Sequence, residues 1–137
     1  MNEITIPYHL VLPSTVCLIG LLAITINRRK LLSKNKLLWI SIITFLIIYL
    51  FIVGTSSYYA IYYQWDLNRY DLDKNGVFNA AEITDDQQIA MSKLIIDTGR
   101  NFSFITGFIF ALIISITVYI FGRIRLRIKN NKKNRSY

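Results

Sequence analysis

Three long apolar runs without charged side chains constrain the fold of this chain more than any other feature. Residues 10–26, 37–60 and 102–122 contain no Asp, Glu, Lys or Arg. A helix needs about 20 apolar residues to cross the hydrocarbon core of a bilayer, and the second and third runs reach that length. The first run reaches it when Pro7 and Tyr8 are added. We therefore predict an all-α membrane protein with three transmembrane helices.

The composition agrees with this prediction. Of the 137 residues, 53% are hydrophobic, and the mean hydropathy is +0.39, which is typical of a membrane protein. A cleaved signal peptide is the alternative for residues 10–26, but a signal peptide has positive charge before its apolar run, and here the charge follows it. We expect a retained helix. The single cysteine, Cys17, excludes a disulfide framework within the chain.

Basic residues are distributed unevenly among the segments between the apolar runs. Residues 27–36 hold five Lys or Arg and residues 123–137 hold seven, whereas residues 61–101 hold four, together with seven acidic residues. Positively charged segments stay on the cytoplasmic side of a membrane. We therefore expect residues 27–36 and 123–137 in the cytoplasm and residues 1–9 and 61–101 outside it, in a protein of the plasma (inner) membrane.

Residues 71–82, D-L-D-K-N-G-V-F-N-A-A-E, fit the calcium-loop pattern D-x-[DN]-x-[DN]-G-x5-E. Chance agreement is on the order of one in 10^5 per start position at ordinary residue frequencies. The alternative is an acidic, Asn-rich surface turn that binds no ion. Hard oxygen donors suit Ca²⁺, whereas zinc fits poorly, because the lone His and Cys lie elsewhere. The predicted metal ligands are Asp71, Asp73, Asn75, the Val77 carbonyl, Asn79 through a water, and Glu82.

This stretch resembles an EF-hand over roughly residues 64–84. Leu67 and Tyr70 fill the apolar positions before the loop, and Ile83 fits the start of an exiting helix, while Asp86 and Gln87 depart from the pattern. The resemblance implies one EF-hand-like helix-loop-helix between the second and third transmembrane helices. The chain carries a single loop of this kind, whereas EF-hands usually occur in pairs.

The residues around the loop predict how it connects to the membrane. No Gly or Pro lies between Gly54 and Asp71, so we expect the second span to continue as one helix into the loop. Thr84–Gln87 fits a capping box that starts a new helix. Asp97–Arg100 is typical of a stop and a turn, with an ion pair between its first and last residues.

Two features predict contacts with partners. Small residues recur every four positions in the third run, and such a face lets helices approach closely in lipid. This face favours packing on another helix, on a membrane-protein partner or in a homo-oligomer. The small residues that form it are Ser103, Gly107, Ala111 and Ser115. The basic tail favours anionic lipid head groups. Nucleic acid is the alternative partner for such a run, but the adjacent span favours membrane lipid.

The sequence indicates a binding protein rather than an enzyme. No nucleophile–base pair is recognisable, and no charged residue lies within the three apolar runs, where a transport pathway usually needs one. We expect a weak sensor of external calcium, or a module that calcium stabilises. The alternative is a structural or accessory subunit of a larger membrane complex, in which calcium is only a staple.

Overall fold

The computed structural model of the chain describes residues 5–79 and 82–134. These residues form four helices and no strand: α1 Tyr8–Ile26, α2 Arg28–Asn68, α3 Asp85–Ile95 and α4 Thr98–Asn134. Three of the helices, α1, α2 and α4, are long and apolar enough to cross a membrane, as predicted. Residues 1–4 of the predicted N-terminal segment and residues 135–137 of the predicted tail lie outside the described residues.

The first turns of α2 are formed by the basic segment that joins the first two apolar runs. Residues 28–34 are helical rather than a loop, because Arg, Lys and Leu favour helix and the segment has no Gly or Pro. The helix is interrupted at Asn35, whose backbone angles of φ −148° and ψ 68° are not helical. The apolar part of α2 begins just after this break, at Leu37.

From the break, α2 runs without interruption to Asn68, at the edge of the predicted calcium loop. This confirms that the second span and the helix entering the loop are one element. The 34 residues of Asn35–Asn68 measure roughly 50 Å at 1.5 Å per residue. A bilayer's hydrocarbon core is about 30 Å thick. The helix is thus long enough to carry the loop beyond the apolar region that it spans.

The core lies where α2 packs between α1 and α4. Leu10 and Cys17 of α1 meet Tyr49 and Val53 of α2 and Ala111 of α4 in one buried cluster. Leu10 and Val53 are fully buried. The cluster therefore joins all three long helices.

Polar side chains join α2 to α4 at two levels. The Tyr49 hydroxyl donates to the Phe104 carbonyl at 3.0 Å. The Ser41 hydroxyl donates to the Ser115 carbonyl, and the Ser115 hydroxyl donates to the Ser41 carbonyl, both at 2.8 Å. Such interhelical bonds contribute about 0.6 kcal/mol each on average in membranes. Ser41 of α2 pairs with Ser115 of α4, whereas Tyr49, further along α2, pairs with Phe104, which lies earlier in α4. The two helices are therefore antiparallel.

The small-residue face of α4 packs on α2 of the same chain. Ser103 and Ala111 are buried, and a Cβ atom on Gly107 would lie 2.8 Å from Ile52 Cγ2. A side chain at Gly107 would require Ile52 or the helices themselves to shift. A homo-oligomer or partner contact through α4 stays a prediction, and it would have to use the remaining face of the helix.

Candidate metal centre

The segment between α2 and the cap of α3 contains the predicted loop, and its described residues, 69–79, 82 and 83, have irregular or turn structure. The turn after α2 is closed by the Tyr70 N–H, which donates to the Leu67 carbonyl at 3.1 Å. At the far end, the Thr84 hydroxyl accepts from the Gln87 N–H at 3.2 Å and caps α3. Gln87 and Ala90 are buried in α3, which packs against α2. Both ends of the loop are therefore held by helices that contact each other.

The loop winds inward through two residues in the left-handed region. Gly76 has φ 84° and Lys74 has φ 58°. The sequence predicts the first, because only glycine adopts this conformation without steric cost. It does not predict the second, since a left-handed non-glycine residue costs roughly 1–2 kcal/mol. The surrounding loop contacts must hold Lys74 in place.

Three carboxylates converge at the centre of the loop. One oxygen from each of Asp71, Asp73 and Glu82 lies within 4.8 Å of the other two. Asp71 and Glu82 are each only 4% exposed, while Asp73 is exposed. Carboxylates up to eleven residues apart in sequence are thus gathered around one point, as the loop pattern predicts.

Backbone amides surround the Glu82 carboxylate. Its Oε1 accepts from the N–H groups of Leu72 at 2.7 Å and Asp73 at 3.3 Å, and its Oε2 accepts from Asn79 at 3.1 Å. The hydrogen bond from the Asn79 N–H does most to lower the pKa of Glu82. Burial raises this pKa, as does the charge of Asp71, whereas the bonds from the Asp73 and Leu72 N–H groups lower it further. The net effect is a pKa below the ordinary value of 4.5, so Glu82 is ionised at neutral pH.

The remaining loop side chains fold back onto the loop backbone. Asp71 Oδ2 accepts from the Gly76 N–H at 2.9 Å. Asp73 Oδ1 accepts from the Asn75 N–H at 3.1 Å, and the Val77 N–H donates to Asn75 Oδ1 at 2.7 Å. Turns closed by Asp and Asn side chains account for this winding.

The amide side chains of two predicted ligands lie against Asp73. Asn75 Nδ2 donates to Asp73 Oδ2 at 2.7 Å, and Asn79 Nδ2 approaches the same oxygen at 3.4 Å. Val77 joins the network through its N–H, and its carbonyl as a ligand stays a prediction. The structure therefore brings Asp71, Asp73 and Glu82 together and places Asn75 and Asn79 beside them.

The donor set fits a hard divalent cation. Carboxylate and amide oxygens are the ligands that Ca²⁺, Mg²⁺ and Mn²⁺ prefer, and Ca²⁺ accepts the largest and most flexible set. Three carboxylates in so small a space repel one another, and a bound cation would remove that repulsion. His9 and Cys17, the softer candidate ligands, both lie in α1, outside the loop.

Arg100, in the first turn of α4, joins the end of α3 to α2 and α4. Its guanidinium is buried and donates to the carbonyls of Lys93 at 3.3 Å and Leu94 at 2.6 Å, in the last turn of α3. It lies 3.8 Å from the Asp97 carboxylate and 5.2 Å from the centre of the Tyr63 ring of α2. The sequence predicted the ion pair with Asp97, which is confirmed. The contacts with α2 and α3 depend on tertiary packing and left no sequence signal.

Comparisons with family models, with curated proteins and with solved structures found no match for the chain. The chemistry of the loop therefore has to be argued from its residues and their geometry.

Proposed function

We propose that this chain is an integral membrane protein that binds Ca²⁺ in residues 71–82, an EF-hand-like loop on the extracytoplasmic side. One observation carries the proposal: Asp71, Asp73 and Glu82 direct carboxylate oxygens to within 4.8 Å of one another in a loop whose sequence fits a calcium-binding pattern. The calcium-binding pattern is a feature of the sequence, and the convergence of the three carboxylates is a feature of the fold. An acidic surface turn would not need to bury two of its carboxylates.

In the proposed complex, the side chains of Asp71, Asp73 and Asn75 and the Val77 carbonyl bind the ion directly, and Asn79 binds through a water. Glu82 closes the loop with both oxygens. The same carboxylate already holds the two ends of the loop through the N–H groups of Leu72 and Asn79. Calcium would exchange part of that bonding for metal ligation rather than build the loop anew.

The expected affinity is low. The ligand set has three carboxylates, and the described residues contain no second cluster of this kind to pair with it. Extracellular calcium modules bind with a Kd of about 10^-4 to 10^-3 M, which suits the millimolar calcium outside cells. The charge distribution supports that location, because twelve of the sixteen basic residues lie in the two segments expected in the cytoplasm.

A weak sensor and a calcium-stabilised module both agree with this chemistry. The continuity of α2 from the span to the loop favours a sensor, since a change at the loop reaches the membrane through one rigid element. The fastening of α3 by Arg100 favours the alternative, an accessory or structural subunit in which calcium is only a staple. The two readings differ in whether the helices move when calcium binds.

Calorimetric titration of the purified protein in mild detergent with CaCl₂ tests the site itself. We expect one ion per chain, and a loss of affinity of at least tenfold in Glu82→Gln, which keeps the shape of the side chain and removes its charge. Asp86→Asn is the matched control, because Asp86 is an exposed acid just beyond the loop. Equal affinity in Glu82→Gln and the parent protein would remove Glu82 as a ligand, and no heat of binding in the parent would overturn the proposal.

A further inference from the structure

We propose a second site, for one anionic phospholipid, in the cleft between the start of the α2 span and the end of the α4 span. It lies at the end of α2 opposite the loop, and it does not depend on calcium binding. The cleft combines two cations at the membrane boundary with an apolar floor.

The two cations meet because α2 and α4 are antiparallel. Lys36 is the last charged residue before the α2 span, and Arg123 is the first after the α4 span. Both line one cleft of about 380 Å³. A pair of cations where two spans leave the apolar layer lies at the depth of lipid head groups, whichever way the protein is inserted.

Polar and apolar side chains both line the cleft. Asn35, Lys36 and Arg123 supply donors, and Leu37, Tyr119 and Leu126 supply apolar surface. A second cleft of about 520 Å³ adjoins it, since Arg123 and Leu126 line both. The second cleft adds Arg127 and the amides of Asn130 and Asn131. This combination of side chains matches a phosphate group attached to an acyl chain better than a free anion, because a free anion makes no favourable contact with the apolar side chains.

Local packing gives the cleft its shape. A Cβ atom on Gly122 would overlap Leu37 Cδ1, so the absence of a side chain there lets Leu37 form the floor. The Arg123 guanidinium lies 5.9 Å from the centre of the Tyr119 ring, one turn earlier in α4, and this cation–π contact limits its positions. The break at Asn35 interrupts α2 at the rim of the cleft.

The charge of this end favours an anionic ligand. Residues 4–65 and 98–137 contain no Asp or Glu, so neither helix offers a nearby side-chain carboxylate to Lys36, Arg123 or Arg127. A lipid with a net negative head group would supply the missing charge. A zwitterionic lipid carries its own cation and gains less.

Native mass spectrometry of the full chain in mild detergent, titrated with phosphatidylglycerol or phosphatidylcholine, tests the proposal. We expect one saturable phosphatidylglycerol adduct that binds more tightly than phosphatidylcholine. A direct hydrogen bond from each residue to the lipid phosphate contributes about fivefold to binding, so Lys36→Gln/Arg123→Gln should weaken phosphatidylglycerol binding by at least roughly tenfold. Lys36→Gln alone should weaken it by roughly fivefold.

Lys129→Gln/Lys132→Gln is the control, because it removes the same charge from exposed tail residues outside the cleft. We expect it to leave the adduct unchanged. An equal loss in both double variants would indicate diffuse attraction to the tail and would overturn the site. Equal binding of phosphatidylcholine, or displacement of the lipid by millimolar inorganic phosphate, would overturn it as well.

Discussion

Glu82 holds the loop together through backbone hydrogen bonds that require its charged form. Its pKa in the folded chain is lowered from the ordinary value of 4.5, chiefly by the bond from the Asn79 N–H. A lowered pKa means that the stabilisation is fully present above pH 4.5 and is lost as the pH falls through the folded value. The carboxylate therefore links loop stability to acidity even without an ion.

This link predicts a pH-dependent difference between the parent protein and Glu82→Gln in the presence of a chelator. The parent should be the more thermally stable at neutral pH, and the difference should shrink as the pH falls below 4.5. Thermal unfolding followed by circular dichroism at a series of pH values measures it. A difference that stays constant down to pH 3 would contradict the hydrogen-bonded role of Glu82.

At the scale of single residues, the sequence predicted which carboxylates meet better than it predicted backbone conformation. The spacing of Asp71, Asp73 and Glu82 predicted that their oxygens would meet, because a fixed loop pattern encodes fixed directions, and their convergence confirms it. The positive φ of Lys74 was not predictable, since lysine has no preference for that region. It arises from the loop contacts as a whole rather than from its own side chain.

At the scale of elements, the sequence predicted helices where an apolar run contains no Gly or Pro. It predicted the ends and the interruptions of the helices less well. The continuation of α2 to Asn68 followed from the residues between Gly54 and Asp71. The break at Asn35 did not, because Asn is tolerated inside helices and its neighbours Leu, Lys and Ser include no Gly or Pro. The helical character of residues 28–34 was missed for a related reason: a basic segment between two spans looks like a loop when only its charge is considered.

The approach of α4 to α2 predicts a sharp difference between two glycines. Gly107→Ala should lower the midpoint of thermal unfolding in detergent by several degrees, because its Cβ would lie 2.8 Å from Ile52 Cγ2. Gly54→Ala should leave the midpoint unchanged or raise it, since its Cβ would meet only Leu50 Cδ1, at 4.0 Å, and alanine favours helix by about 1 kcal/mol. Equal effects would show that the close approach at Gly107 does not stabilise the bundle.

Arg100 and Arg69 provide a second matched comparison. Each pairs with an Asp three residues earlier and lies near an aromatic ring, but the side chain of Arg100 is 4% exposed and that of Arg69 is 63% exposed. Charged hydrogen bonds that are buried contribute about 1.5–3 kcal/mol, whereas exposed ion pairs contribute about 0–1 kcal/mol.

Arg100→Gln should therefore speed amide exchange in α3, residues 85–95, by at least roughly tenfold, because it removes bonds to the last carbonyls of that helix. Arg69→Gln should change the exchange by no more than a few fold. Hydrogen exchange followed by mass spectrometry in the presence of a chelator measures both. Unchanged exchange in Arg100→Gln would mean that α3 is held by its contacts with α2 alone.

Charge sorts the whole molecule into a basic end and an acidic end. The three spans lie between residues 27–36 and 123–137, which carry twelve basic residues, and residues 61–101, which carry a net charge of −3. We expect Asp86→Cys to react with a membrane-impermeant thiol reagent in intact cells and Lys132→Cys to react only after lysis. Both positions are exposed, and the native Cys17 is buried. The reverse labelling would invert the topology and remove the argument for external calcium.

Calcium bound as we propose would act on the apolar helices through α2 and α3. α2 continues from its apolar part to Asn68 at the edge of the loop, and Arg100 joins α3 to the start of α4. An ion shifts an equilibrium between two arrangements only by its differential affinity for them. At a concentration tenfold above its Kd, calcium can supply about 1.4 kcal/mol. That amount biases a balanced equilibrium about tenfold, but it does not drive an unfavourable one.

A sensor and a staple therefore differ in what chelation does between residues 66 and 98. For a sensor, we expect chelation and Glu82→Gln to speed amide exchange in the same residues of the loop and of α3, by up to roughly tenfold. For a staple, we expect the change to stay within residues 71–82, because α3 remains held by Arg100. Asp86→Asn, which leaves the loop intact, should exchange as the parent does in both conditions. Identical exchange with calcium and with chelator throughout residues 66–98 would leave a site without a conformational consequence, and the sensor would have to be abandoned.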